Sequence, residues 1–195
     1  MIKKNLLLLV ILAQLFTVNA QLNLSVVGQL TFPGKGDLSD IWGWADPDDG
    51  TEYAIVGLGN GTSVVSLADP ANPVEVQYIP GQQSTWRDIK TWGNFAYVTT
   101  DEGGTTDGLL VIDLTGAPDN ITWYNWNPTI AGQVMNTCHN IYIDEFGFAY
   151  LAGCNNNSGG MIILDVDTTP GVPVLEALAP ATYSHDVYTR DNIMY

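Results

Sequence analysis

Apolar residues along this chain fall into short segments, and each segment ends at Gly, Pro, Asp or Asn. β-Branched and aromatic residues dominate these segments, which is a composition that favours strands. No stretch keeps the apolar period and the capping residues of a helix. The stretch 86–128 shows the order most clearly, with apolar segments at 86–89, 95–98, 108–114 and 121–126. The pattern therefore predicts an all-β protein built from four-strand units.

The four-strand pattern repeats along the chain. Equivalent units lie at approximately 39–81, 86–128 and 138–180, and a truncated unit lies at 185–195. The anchor positions Asp40, Asp88, Asn140 and Asp186 are separated by 48, 52 and 46 residues. A period of about 50 residues with four strands per unit is typical of propeller blades. We therefore predict a β-propeller of four-stranded antiparallel blades, with about three complete blades and parts of two others.

The two ends of the repeat region differ from the complete units. Residues 24–32 predict a single strand that resembles the fourth strand of a blade, because both segments end at Pro-Gly. Residues 185–195 match the first hairpin of the second unit and then stop. Propellers typically need about four to eight blades, and open blade faces leave strand edges that promote aggregation. We therefore expect the chain to be a fragment of a longer open reading frame.

Residues 1–20 have the features of a secretory signal peptide. Lys3 and Lys4 precede an apolar run that is too short to span a bilayer, and a cleavage site follows at Ala20. An uncleaved anchor is the weaker alternative. We expect the partial propeller, 21–195, to be secreted or displayed at a cell surface. No later run is apolar and long enough for a membrane helix.

The net negative charge of the chain argues against two classes of binding partner. The formal net charge is -15, with 6 Lys and Arg against 21 Asp and Glu. Nucleic acids and anionic lipids reward clustered basic side chains, so neither is an expected partner. An acidic surface suits a soluble extracellular protein or one that meets cations.

Several motifs carry a resemblance to a known family. They are Trp42-Gly43 and the segments 52–57, 64–73, 84–90 and 110–114. They resemble the LVIVD-repeat proteins of the choice-of-anchor B family, over roughly residue 39 to the end of the chain. The resemblance implies a secreted or surface-held bacterial β-propeller, with an anchor or sorting domain in a C-terminal part that this sequence does not include. It implies no catalytic mechanism.

Cys138 and Cys154 are the only two cysteines. A three-residue turn at 145–147, with Gly147 in the left-handed position, gives a hairpin register that places the two cysteines opposite each other. A signal peptide would deliver the chain to an oxidising compartment. We therefore predict a disulfide, with two small buried thiols as the alternative. A zinc site is less favoured, because only His139 lies nearby and the C-x-x-C spacing is absent.

The repeat also predicts a candidate site. The pairs His139-Asn140 and His185-Asp186 occupy equivalent positions, matched by Asp40 and Asp88 in the earlier units. If these segments are the innermost strands, their carboxylate, amide and imidazole groups surround the mouth of a central channel, where a cation or polar ligand would bind. The alternative is that Asp and Asn link neighbouring blades by accepting hydrogen bonds from backbone N–H groups. The two histidines alone do not define a metal site.

Two further features have ordinary structural interpretations. The acidic loop 46–52 offers oxygen ligands for calcium, but its spacing does not match an EF-hand loop, so a plain acidic turn is favoured. The six tryptophans are candidates for stacking on sugars, although strand aromatics more often pack between blades. No other cofactor is expected, because phosphate loops, dinucleotide fingerprints and nucleophile elbows are absent.

Together these patterns predict a surface binding or interaction module whose partner is a surface protein or a glycan. No catalytic residue is assigned. The alternative is an extracellular hydrolase or lyase that uses Asp and His near the channel. An enzyme is expected to have one blade that departs from the repeat and directs an acid/base pair into a pocket.

Overall fold

The structure is a computed structural model, and it describes residues 25–191 and 193–195. The predicted signal peptide, residues 1–20, lies outside these described residues. Blade 1 contains β1 (Leu38–Ala45), β2 (Glu52–Leu58), β3 (Gly61–Ser66) and β4 (Val74–Pro80). Blade 2 contains β5 (Ile89–Trp92), β6 (Phe95–Val98), β7 (Leu109–Gly116) and β8 (Asn120–Trp126). A small hairpin follows, formed by β9 (Thr129–Ile130) and β10 (Gln133–Val134).

Blade 3 contains β11 (Asn140–Ile143), β12 (Phe148–Ala152), β13 (Ile162–Asp165) and β14 (Val174–Leu178). A 3-10 turn at Asn157–Gly159 interrupts its second connection. The partial blade 4 contains β15 (Thr189–Arg190) and β16 (Ile193–Met194). In each complete blade the four strands are antiparallel and adjacent in chain order. The first strands of the three blades are neighbours, because β5 contacts both β1 and β11.

The protein is therefore all-β, a propeller architecture of four-stranded antiparallel blades, as the repeat predicts. No helix within 25–191 or 193–195 has the length and apolar character needed to cross a bilayer.

The core lies between the blades because successive residues of a strand face opposite sides of its sheet. Ile55 of β2 packs toward blade 2, whereas its neighbours Ala54 and Val56 face the other side of blade 1. The seam between blades 1 and 2 includes Trp44, Tyr53, Ile55, Val64, Ile89, Val98, Ile112 and Leu114. The seam between blades 2 and 3 includes Tyr97, Leu109, Val111, Ile141, Leu151, Ile162 and Leu164. Each blade thus buries one set of alternating side chains against its neighbour.

The prediction of a strand at 24–32 is wrong for the part that the structure describes. Residues 25–32 form no ladder with another strand. Leu30 and Phe32 instead pack on the free face of blade 1, and Lys35 forms an ion pair with Glu75 of β4. The apolar side chains of this segment therefore pack on blade 1, but no strand in the described residues lies beside its backbone and forms hydrogen bonds with it.

The hairpin β9–β10 was not predicted, because a two-residue strand leaves no recognisable apolar pattern. The fully buried side chain of Asn156 holds this hairpin. Its Nδ2 donates to the carbonyl oxygens of Ile130 at 3.1 Å and Gln133 at 2.5 Å. One buried amide therefore joins the connector between blades 2 and 3 to the turn that follows β12.

The predicted disulfide is confirmed. Cys138 and Cys154 are bonded, with a sequence separation of 16 residues. The hairpin has the predicted register, since the Asp144 N–H donates to the Phe148 carbonyl at 3.0 Å and Ile143 pairs with Ala149. Gly147 has a φ of 77°, the left-handed conformation that this turn requires.

Candidate functional site

The inner strands begin at a group of acidic and amide side chains that the repeat predicts. Asp40 Oδ2 accepts a hydrogen bond from the backbone N–H of Ile89 at 2.9 Å, across the seam from blade 1 to blade 2. Asp88 Oδ2 repeats this contact one blade later and accepts from the N–H of Ile141 at 3.0 Å. Each carboxylate therefore links its own blade to the first strand of the next blade. This is the alternative given in the sequence analysis, in which Asp and Asn join neighbouring blades by accepting hydrogen bonds from backbone N–H groups.

Asn140 departs from this pattern. Its Nδ2 donates to Asp88 Oδ2 at 2.6 Å, but its buried Oδ1 has no hydrogen-bond partner among the described residues. By the repeat, this oxygen should accept from the N–H of Val187, yet that N–H donates to Asp186 Oδ1 at 2.8 Å. The Asn140 carbonyl is thus an acceptor without a donor.

A cavity of about 250 Å³ opens at these strand ends, and we call it the inner-strand pocket. Its lining residues are Ser39, Asp40, Trp86, Arg87, Asp88, His139 and Asn140. Trp86 is more than half exposed, at 56%, and its ring meets His139 edge-on at 6.4 Å between centroids. Of the six predicted ligand-site residues, the pocket brings together Asp40, Asp88, His139 and Asn140, while His185 and Asp186 are not among its lining residues.

Arg87 serves the seam between blades 1 and 2. The residue is almost fully buried, and its Nε donates to the Leu58 carbonyl at 2.8 Å while Nη1 donates to Thr100 Oγ1 at 2.9 Å. Nη2 donates to the Gln82 carbonyl. Burial lowers the pKa of this guanidinium, against the charge of Asp107. All three guanidinium nitrogens of Arg87 therefore already donate hydrogen bonds to protein groups.

His139 occupies the repeat position of Arg87 but makes a different contact. Its Nδ1 lies 2.6 Å from Asp101 Oδ2. Because a carboxylate only accepts, Nδ1 carries the proton in this pair and Nε2 keeps its lone pair when the ring is neutral. The ring centroid of His185 lies 4.2 Å from that of His139. Asp101 was missed by sequence reasoning, although its position just after β6 corresponds to the place where Arg87 reaches blade 1.

The Asp88 carboxyl has an altered acidity. Burial raises its pKa above the ordinary value, while the hydrogen bonds from Lys90 and from the Ile141 N–H act in the opposite direction. The side chains of Asp40 and Asp88 both accept from the N–H of Ile89, each at 2.9 Å. Two carboxyl groups that converge on one donor favour retention of a proton.

The acidic loop 46–52 forms local turns. Asp46 Oδ1 accepts from the N–H of Asp48 at 2.9 Å, and Asp49 Oδ1 accepts from the N–H of Thr51 at 2.8 Å. Throughout the described part of the chain, no group of three or more His, Cys, Asp or Glu side chains has an arrangement that could hold a metal ion.

Three of the six tryptophans, Trp44, Trp92 and Trp126, pack in the seams between blades, whereas Trp42, Trp86 and Trp123 are exposed. Trp44 Nε1 donates to the Gly93 carbonyl at 2.9 Å, and Trp92 Nε1 donates to Asp167 Oδ1 at 3.2 Å. The Lys90 ammonium lies 4.3 Å from the ring centroid of Trp42. Trp86 differs from these three because it is more than half exposed and lines the inner-strand pocket.

Comparisons with known proteins add little to this geometry. No protein-family model and no curated protein matches the chain. Among solved structures, a GH43 β-1,3-galactosidase is similar at 16% sequence identity, with a TM-score of 0.44. The similarity covers 75% of this chain and 34% of that chain, so the chain spans about a third of the length of the galactosidase. A likeness this weak carries no argument about fold or activity.

Proposed function

We propose that this protein is a secreted or cell-surface binding module of the LVIVD-repeat type, and that its ligand occupies the inner-strand pocket. The observation that supports the proposal best is the unpartnered Oδ1 of Asn140. Buried polar atoms are nearly always hydrogen-bonded, and an unsatisfied acceptor costs about 1–3 kcal/mol. Asn140 lines the pocket, and a ligand that offers a hydroxyl or N–H group removes that cost once the amide turns its shielded oxygen toward the ligand.

The other lining groups favour a glycan over a surface protein as the partner. The exposed ring of Trp86 provides a flat apolar surface, on which the carbon-bound hydrogens of a sugar ring can stack. Next to it, the pocket is lined by the carboxyl groups of Asp40 and Asp88, which are hydrogen-bond acceptors. One aromatic face beside several acceptors matches a saccharide, which is apolar on its faces and rich in hydroxyl donors at its edge.

Replacing Trp86 tests this proposal. The labelled protein would be applied to an array of bacterial and host polysaccharides, and the strongest hit would be titrated by calorimetry. Trp86→Ala should weaken that binding about threefold to tenfold, because aromatic contacts contribute about 0.5–1.5 kcal/mol beyond area burial. Trp123→Ala is the matched control, since Trp123 is also exposed, at 42%, but lies on β8 away from the pocket. Equal binding by both variants would refute the assignment.

One observation also favours the enzymatic alternative, an extracellular hydrolase or lyase. The His139–Asp101 pair breaks the repeat beside a cavity, and a carboxylate that orients an imidazole is the arrangement of a general base. Turnover of fluorogenic glycosides and phosphate esters would be measured for the native chain and for His139→Gln. Turnover that disappears in His139→Gln supports the enzyme, whereas binding without any turnover supports the module.

A further inference from the structure

The chain contains only two histidines, and the fold brings them together. His139 precedes β11 of blade 3, and His185 precedes the hairpin of the partial blade 4. Their ring centroids are 4.2 Å apart and the ring planes are inclined by 53°. Two residues separated by 46 positions in sequence therefore form one imidazole pair at the seam between blades 3 and 4.

Asp101 fixes the orientation and the tautomer of His139. Its carboxylate accepts the Nδ1–H of His139, which orients the ring and leaves Nε2 as the nitrogen with an available lone pair. No hydrogen bond within the described residues uses Nε2 of His139 or either ring nitrogen of His185. A carboxylate behind a histidine is the usual outer partner of metal-binding imidazoles, where it fixes the tautomer and increases the basicity of the ligand.

We propose that His139 and His185 form a two-imidazole site for a divalent transition-metal ion such as Zn²⁺, oriented by Asp101. Imidazole nitrogen is a preferred ligand of Zn²⁺, at a distance of about 2.0–2.1 Å. Two imidazoles on one ion place their centroids about 5 Å apart, as estimated from that bond length. The observed 4.2 Å is slightly shorter, and the exposed side chain of His185 is free to open the pair by that amount. Two protein ligands are fewer than the three or four of the usual structural and catalytic zinc sites, so water fills the remaining positions and the site holds the ion less tightly than those do.

The surroundings of the pair favour cation entry. The side chain of His139 is 20% exposed and that of Asp101 is 35% exposed, so an ion reaches the pair from solvent. The chain carries a net charge of -15, which concentrates cations near its surface. The metal site shares His139 with the inner-strand pocket, but His185 does not line that pocket, so a change at His185 tests the metal site alone.

The test is a calorimetric titration of the purified chain with Zn²⁺ alone. The native chain should bind one ion saturably, and EDTA should remove it. His185→Gln should abolish this binding while leaving the fold intact, because His185 is exposed and makes no hydrogen bond in the described structure. Asp101→Asn should weaken the affinity about 10- to 100-fold, the usual effect of losing an outer partner.

Two controls separate this site from other causes of zinc binding and from the proposed glycan pocket. Asp48→Asn removes a carboxylate from the acidic loop and should leave the titration unchanged. In the other direction, His185→Gln should leave polysaccharide binding unchanged, because His185 does not line the inner-strand pocket, so the two proposals fail or succeed separately. Undiminished Zn²⁺ binding by the double variant His139→Gln/His185→Gln, or no binding by the native chain, would overturn the inference.

Discussion

The Asp88 carboxyl links two blades from a position that is largely removed from water. It accepts the N–H of Ile141 and the side-chain amide of Asn140 through one oxygen. Through the other oxygen it accepts the N–H of Ile89 and the ammonium of Lys90. Even with these four donors, burial dominates and raises the pKa of Asp88. The seam thus uses a carboxyl group whose charged form is costly to keep.

We predict that Asp88 gives the protein a pH-dependent stability with a definite sign. A carboxyl whose pKa is raised on folding binds its proton more tightly in the native state. Its stabilising contribution is complete below the unfolded pKa of about 3.9 and is lost as the pH rises through the native pKa. In urea unfolding between pH 3 and 7, Asp88→Asn should remove this decline.

Asp69 is the control for that experiment, because its contribution to stability should change with pH in the opposite direction. The side chain of Asn72 and the N–H of Ala71 lower the pKa of Asp69, so its contribution is present above the unfolded pKa and lost as the pH falls. Asp69→Asn should therefore remove a small increase with pH. A pH slope in Asp88→Asn identical to that of the native chain would contradict the prediction.

The repeat in the sequence predicted which residues link neighbouring blades, but it did not predict all of their partners. The repeat identified Asp40, Asp88 and Asn140 because equivalent positions recur at a regular spacing. It gave no sign of Asp101, because the contact with His139 depends on the direction of two side chains across a seam. Nor does spacing show that the Asn140 oxygen is left without a donor, since that depends on where the Val187 N–H points.

The hairpin of β11 and β12 is the element that carries a covalent link. Cys138 and Cys154 close a loop with a sequence separation of 16, and both side chains are buried. A loop of about 15 residues corresponds to about 3 kcal/mol in the chain-entropy account of disulfide stabilisation. The bond lies directly beside His139 and therefore also supports the start of the inner strand.

We predict that the double variant Cys138→Ala/Cys154→Ala has a free energy of unfolding lower by about 3 kcal/mol. Urea unfolding monitored by tryptophan fluorescence measures this difference. A reducing agent should bring the native chain to a similar midpoint and should not affect the variant. If the native chain and the variant unfold at the same urea concentration, the disulfide does not stabilise the fold.

Elements with strong local patterns were predictable, and those that depend on neighbours were not. Every strand of the three complete blades overlaps an apolar segment bounded by turn residues, but the segment predicted at 86–89 is misplaced, since β5 begins only at Ile89 and runs to Trp92. Residues 25–32 have the same kind of pattern but form no ladder, because a strand also needs a partner for its backbone. The hairpin β9–β10 is the opposite case. It has no apolar pattern in the sequence, but it forms because the buried side chain of Asn156 donates hydrogen bonds to it.

The whole molecule exposes an apolar edge at β14. All five residues of Val174–Leu178 are exposed, and β14 is the last strand of its sheet, so its outer backbone groups face no strand within the described residues. Glu176 is its only charged residue. Exposed apolar edge strands of this kind pair with other chains and promote aggregation.

We predict that Leu175→Lys reduces concentration-dependent self-association of the protein, as measured by sedimentation velocity. Its effect on the free energy of unfolding should stay within about 0.5 kcal/mol, because the side chain is exposed. Val134→Lys makes the same charge change at a residue that is 46% exposed on β10. Both variants reduce the net negative charge, so an equal change in association would show that charge, rather than the edge, is responsible.

The links between blades also give the molecule a direction. Asp40 holds the strand that follows in blade 2, and Asp88 holds the strand that follows in blade 3. In both cases the acceptor precedes the donor in the chain. Because a polypeptide leaves the ribosome with its amino end first, each acceptor is synthesised before the strand whose N–H it accepts. The propeller is thus suited to be assembled one blade at a time, in the order of its own synthesis.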